Sequence, residues 1–547
     1  MFEENYEKFT EAQKQLLERY VTNVNSHVFV LRNLPEVIKG ALFSRYSRSN
    51  LGLRSLLLKE FISNIDESGF ASIAGKEHEP AAQLAAIKKA QNFYDRILDG
   101  YGDDSIGELG GAHIALENVS MLAAKALEDS RIGGSPLEKS TRYIYFDQKV
   151  NGEYLFYREP VLMTSAYRDL YVDTCNMLFE TYSSLIQKLT PRIEKSMPRD
   201  PAISQAAYVS AVRAKVLDCL RGLLPAGTLT NMGIFGNGRF FDYLIHKLHC
   251  HDLTEMQEIG KKAYEELSKV IPSFVRRAQL SHRSHTSFAD FHEAMQTELQ
   301  LLTSQHGEKK ISLHDEENRA GVRLIGSNPD AVRNVAAALL YVHGNCSLRE
   351  LQNYCAQLPE EEIARILDAT VAPRENRRHK SPRALEHADF TFDIVADFGV
   401  YRDLHRHRTL TQERQLLTCD LGYYVPPEIM KTSLEKEYVQ ALEEAKAAYD
   451  KIAISLPQEA QYIVPMAYNV RWYFQANLRE LQWMCELRSS AAGHPGYRYA
   501  AQRMAREVID KFPAFERFFK FVDYEGYELG RLDQEQQRVN KQQKEKV

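Results

Sequence analysis

Several features that would place a chain outside the cell, in a membrane or on nucleic acid are missing here. Cysteine is scarce and unpatterned: Cys175, Cys219, Cys250, Cys346, Cys355, Cys419 and Cys485 are odd in number, and no two stand at CxxC spacing. That excludes a disulfide framework and gives no paired-thiolate zinc motif, so a reducing cytoplasm is expected. Long apolar runs are also missing. The longest, such as AAALLYV at residues 336–342, fall far short of the roughly 20 residues that span a bilayer. Nor is there an excess of one charge, since 69 basic residues face 74 acidic ones for a formal net charge of -5. A chain-wide surface for polyanions is therefore excluded, and no nucleic-acid or membrane partner is expected; any anion site must be local. The opening MFEENYEKFTEAQKQLLERY is acidic and reads as an amphipathic helix, without the basic flank and apolar core of a secretion signal.

What is present is mostly helical. SSLIQKLTPRIEKSM, MQEIGKKAYEELSKVI, LEKEYVQALEEAKAAYDKI and AAQRMAREVIDKF each repeat apolar residues at i, i+3, i+4. The clearest strand is FTFDIV at 390–395, whose Phe390, Phe392 and Ile394 would share one face. The expected class is α+β, and 547 residues are too many for one compact core. Beyond Leu532 the tail has almost no apolar content, and disorder is expected over 531–547.

Internal repetition organises the rest. NLPEVIKGALFSRYSRSNLGLRSLL (33–57) and NPDAVRNVAAALLYVHGNCSLRELQ (328–352) share a polar start, a small-residue helix and a later LRxL. Residues 103–143 resemble 379–415 in an opening serine followed shortly by a glutamate, a central apolar stretch and an Arg-rich turn. In the third pair, 220–241 and 460–481, Asn-x-Arg follows a proline at the same distance: Pro225 with Asn237 and Arg239, Pro465 with Asn477 and Arg479. Three repeats in one order mean a tandem duplication, with the halves meeting near residues 275–300.

The second half concentrates positive charge in RHRTLTQERQ, beginning at Arg406. HxSP, EHxxFTF, RHR, NxR and a later LR occur in that order, and this series resembles the flavin-dependent thymidylate synthases, the ThyX family. The resemblance implies two tandem domains of that type, each helix-rich with a mixed sheet, at 1–280 and 281–530. It also implies FAD as cofactor, dUMP as substrate, methylenetetrahydrofolate as carbon donor and NADPH as reductant. In the second half His379 and Ser381 match the flavin-phosphate side. Arg406, His407 and Arg408 match the signature RHR, Asn477 and Arg479 the Asn-x-Arg, and Arg488 the later arginine. A flavin, a pyrophosphate and a nucleotide phosphate all need fixed cationic donors, which arginine's planar fork supplies.

Each half departs from the family pattern where the other keeps it. The nucleotide-loop serine is replaced around Gln415, Leu416 and Leu417, whereas Glu138, Lys139, Ser140, Thr141, Arg142 and Tyr143 match that loop in the first half, and Arg221 matches a further nucleotide arginine. Conversely, Asp129-Ser130-Arg131 replaces RHR, Asp103 the flavin-side histidine and Leu248 the later arginine, while Gln461 stands at the position of Arg221. The expected result is one composite site per chain, with Glu138, Ser140, Arg142, Arg221 and Arg488 on the nucleotide. The resemblance implies no protein nucleophile. Arg406 or Arg408 would stabilise charge on the pyrimidine, and Ser140 would orient it. Two such chains would rebuild the family's four-subunit assembly, so a homodimer is expected. Asp403 stands where the family has a glutamine, and Arg383 and Ala384 are additional, which leaves a related pyrimidine reaction open. A non-catalytic nucleotide- or flavin-binding scaffold is the alternative reading.

Three other motifs have plainer readings. HKLHCH (246–251) and SHRSH (281–285) contain metal-ligating residue types without a second ligand pair at fixed spacing, so both read as surface or core side chains. Trp472, Tyr473 and Phe474 read as core.

Overall fold

The computed structural model describes residues 8–47, 49–62, 107–306 and 318–544. In chain order the strands that position the site are β1 (Gly111–Ser120), β2 (Gly134–Glu138), β3 (Leu229–Asn237), β4 (Gly321–Ser327), β5 (Asp389–Asp397), β6 (Thr411–Arg414) and β7 (Asn469–Asn477). The principal helices are α1 (Arg168–Ser196), α2 (Gln205–Leu220), α3 (Gly238–His249), α4 (Thr254–Leu267), α5 (Arg283–His306), α6 (Phe398–Leu404), α7 (Glu435–Ala453), α8 (Leu478–Arg488), α9 (Pro495–Lys511) and α10 (Leu532–Lys544). The class is α+β. Two compact units divide the chain, one comprising 1–117, 126–138 and 231–311, the other 118–125, 139–230 and 312–547. These units do not follow the repeat boundary at 280, because the larger one gathers much of the first repeat together with the second. Asp103 lies outside the described residues.

In the smaller unit β2 pairs antiparallel with β3, Gly134 opposite Gly236. Asn237 ends that strand and caps α3, its Oδ1 accepting the Phe240 N–H at 2.8 Å. Helix α3 buries Phe240, Phe241, Leu244, Ile245 and Leu248.

In the larger unit the sheet order is β4-β5-β7-β6. Phe390, Phe392 and Ile394 of β5 are fully buried, as the alternation of FTFDIV predicts. Trp472 and Phe474 on β7 are buried too, while Tyr473 between them is 44 % exposed, the period-two pattern of a strand. The expected mixed sheet is corrected here. β7 runs antiparallel to both β5 and β6, and β4 runs antiparallel to β5. β7, from much later in the chain, inserts between β5 and β6.

The duplication is written into backbone hydrogen bonds of this unit. Pro225 and Pro465 face each other in an antiparallel bridge. Ala226 N–H donates to Val464 O and Met466 N–H to Leu224 O, both at 2.9 Å; Gly227 N–H donates to Tyr462 O and Ala467 N–H to Gly222 O, both at 2.8 Å. Every bond has its mate with the repeats exchanged, the signature of a two-fold contact between equivalent surfaces.

The tail is also corrected. Residues 532–544 form helix α10 rather than a disordered end. The Ser204 N–H donates to Gln536 Oε1 at 2.8 Å, Arg531 and Glu535 are buried as a pair at 3.3 Å, and the Arg531 guanidinium lies 3.9 Å from the Tyr143 ring centroid. A contact made of ion pairing and cation–π stacking leaves no mark in hydropathy.

Candidate functional site

A cavity of about 200 Å³ opens in the larger unit, lined by Lys139, Ser140, Thr141, Arg142, Tyr143 and Arg221 from the first repeat and by Arg402, Asp403, Arg406, Arg488 and Tyr497 from the second. Six of these side chains are cationic. Their local order explains the convergence. Residues 139–143 follow β2, and Arg221 is the C-cap residue of α2. Asp397 caps α6 by accepting the Val400 N–H at 3.0 Å, which aims Arg402 and Asp403 inward, with Arg406 in the turn beyond. Arg488 is the last residue of α8.

The arginines are not equivalent. Arg142 holds Asp218 with a two-point fork at 2.6 and 2.7 Å, and donates to Tyr497 Oη at 3.0 Å and to Ala492 O at 3.2 Å. Burial works against the Asp218 charge, but the Arg142 fork outweighs it and keeps the carboxyl below its ordinary range. Arg221 donates through Nη1 to Asp403 Oδ2 at 3.0 Å, while its Nη2 is buried without a hydrogen-bond partner. A buried unsatisfied donor of this kind is costly, and beside the cavity it makes Arg221 a candidate to meet a ligand acceptor. Gly399 makes room for it, since a Cβ there would stand 3.0 Å from Nη2 and 2.9 Å from Asp397 Oδ1. Burial pushes Asp397 up to about 6 despite Arg221. Burial acts in the same sense on Asp403, but Arg221, Arg406, Arg142 and Arg488 together hold its carboxyl far below the usual range. Asp403 is thus an internal anion at the centre of an arginine cluster. Ser140 Oγ accepts the Arg142 N–H at 3.2 Å, which leaves its hydroxyl hydrogen to donate.

The residues expected to meet flavin are distributed differently. His407 is buried and joins two groups: its Nδ1 lies 3.0 Å from Glu480 Oε1, and its Nε2 accepts the Arg488 Nε–H at 3.0 Å. Nε2 is then unprotonated, and burial keeps the ring neutral. His407 therefore sets the position of Arg488. Asn477 caps α8, accepting the Glu480 N–H at 2.9 Å. Arg479 donates to Ser381 O and to Glu386 Oε1, both at 2.8 Å, and Ser381 Oγ donates to Gln482 Oε1 at 2.7 Å. These contacts fasten the HKSP segment to α8. His379, Arg383 and Arg408 are exposed, and Arg408 is absent from the cavity lining. Glu138, the buried last residue of β2, belongs to the other compact unit.

Arg402, Asp218 and Tyr497 were not singled out from sequence. Arg402 stands only four residues before Arg406 in the sequence, and α6 with the turn after it brings both to the cavity. Asp218 and Tyr497 carry no sequence signal. The Arg142 and Arg488 guanidiniums each lie 5.6 Å from the Tyr497 ring centroid, a role only the fold creates. HKLHCH and SHRSH meet in the smaller unit, His246 Nδ1 standing 2.9 Å from His285 Nδ1. No group of three or more residues suited to a metal occurs among the described residues, and no described helix is long and apolar enough to cross a membrane.

The sequence profile of a family described as thymidylate synthase complementing protein matches residues 63–273 and again 323–514. A UPF0159 protein from Chlamydia muridarum is 53% identical over 530 residues, covering 97% of this chain and 98% of its own. Another of that name from Thermoplasma acidophilum is 33% identical over 523 residues, 91% and 97% of the two chains. A flavin-dependent thymidylate synthase from Clostridium tetani is 27% identical over 214 residues, 34% of this chain and 81% of its own.

Proposed function

Since the chain belongs to the thymidylate synthase complementing protein family, in duplicated form, we propose that it is a flavin-dependent enzyme methylating C5 of dUMP or a closely related pyrimidine nucleotide. Methylenetetrahydrofolate would give the carbon and NADPH the electrons, in one composite site per chain. The observation that carries this reading is the cavity itself, in which the nucleotide-loop residues of one repeat meet the RHR arginine and the later arginine of the other.

Lys139, Arg406 and Arg488 suit a phosphate dianion, with Arg488 held in place by His407. The Nη2 of Arg221 suits a pyrimidine carbonyl, where a donor would stabilise negative charge developing on the ring; such donors contribute about 3–4 kcal/mol in well-studied oxyanion sites. Ser140 would orient the base through its hydroxyl. The donor set fits FAD as well, because His379, Arg383 and Arg408 expose cationic or imidazole groups on the HKSP and RHR segments. FAD, when bound, supplies the redox chemistry. Gln461, the counterpart of Arg221, is occupied instead: its Oε1 accepts the Leu417 N–H at 3.2 Å and Arg414 Nη1–H at 3.3 Å. That supports a single working site.

The test is the flavin spectrum of the purified chain together with tritium release from C5-labelled dUMP. A flavoprotein that releases tritium is expected. A colourless protein that FAD does not reconstitute and that releases none would leave the scaffold reading in its place.

A further inference from the structure

Helix α5 (Arg283–His306) lies between the two segments matched by the family profile, so it belongs to this chain rather than to the family's common core. Its only buried residue is His285. Phe291, Met295, Leu299 and Leu302 are 64%, 36%, 51% and 38% exposed, and their spacing places them on one stripe. Phe288 begins that stripe and is half-buried, its ring 5.1 Å from that of His246.

We propose that α5 is a self-pairing surface through which two copies of this chain associate antiparallel about a two-fold axis at Met295. The pattern is symmetric about that residue: Phe291 and Leu299 are equidistant from Met295, and so are Phe288 and Leu302. Turned over onto itself, the helix stacks Phe288 with the partner's Leu302, Phe291 with the partner's Leu299, and Met295 with the partner's Met295. Such layers are how helices interlock when side chains of one fill gaps in the other.

Charge favours the same arrangement. Reflection about Met295 sets Glu298 level with the partner's His292, Glu293 with the partner's Thr297, and Asp290 with the partner's Gln300, so no carboxylate meets another. A parallel pair in register would set each acid level with its own copy. Beyond Arg283 the helix has neither lysine nor arginine, which argues against an anionic membrane surface as occupant. Its 24 residues make a contact about 36 Å long at an axis separation of about 9 Å, on the order of the 1,200 Å² at which specific interfaces begin. The pairing does not depend on what the chain catalyses.

Light scattering of the full chain should give twice the chain mass. Phe291→Glu with Leu299→Glu should give a monomer with unchanged far-UV circular dichroism. Met295→Cys keeps the helix apolar and should yield a disulfide-linked dimer on mild oxidation where the wild-type chain gives none. Phe291→Cys and Leu299→Cys chains should cross-link when mixed and not separately. A monomeric wild type, a dimer that survives the double glutamate change, or Met295→Cys chains that fail to cross-link would each overturn the proposal.

Discussion

Arg142 commits four donor contacts to Asp218, Tyr497 and Ala492, whereas Arg221 gives one to Asp403 and keeps Nη2 unsatisfied. The first arginine builds the wall, and the second keeps a donor in reserve beside the cavity. Asp403 lies between these roles, since it orients Arg221 while opposing any dianion that enters. Asp403→Asn retains an oxygen for Arg221 and removes the charge. Nucleotide-monophosphate binding measured by calorimetry should then tighten roughly tenfold, about 1.4 kcal/mol, with a steeper salt dependence. Weaker binding would mean that the carboxylate itself contacts the base. At this scale the sequence marked Arg221, Arg406 and Arg488, and all three line the cavity. It gave no sign that the side chains of His407 and Asn477 hold other residues in place.

Among elements, the pairing of α3 with α5 through histidines has a measurable consequence. Burial, aided by His285, pushes His246 and His249 down to about 4 from an ordinary 6.5. The folded chain therefore refuses protons that the unfolded chain accepts below pH 6.5. Stability should fall as pH drops from 6.5 toward 4, at about 1.4 kcal/mol per pH unit for each fully shifted group. His246→Asn should make that loss smaller by roughly 2 kcal/mol, read from thermal denaturation across the interval; an unchanged slope would show that these imidazoles are not responsible. The helices and β5 were legible because their periodicities are strong. Antiparallel pairing and the α10 helix were not, because strand neighbours, and the contacts of Gln536 with Ser204 and of Arg531 with Tyr143, join residues far apart in the chain.

For the whole molecule, duplication with complementary loss makes a stoichiometric prediction. One nucleotide and one FAD should bind per chain, and Arg221→Ala should abolish nucleotide binding while Gln461→Ala leaves it within about twofold. Two nucleotides per chain would mean that the position of Gln461 is also a working site. The tandem repeat, the α+β class and the exchange of surviving motifs between halves were all contained in the sequence, because duplication preserves order and spacing. Which residues of the two repeats face one cavity was decided only by tertiary structure. The two-fold backbone contact at Pro225 and Pro465 carries Arg221 to Asp403 across 182 residues of chain. Close-range electrostatics among buried groups then settled which arginines are tied to carboxylates in the pocket wall and which retain an unsatisfied donor.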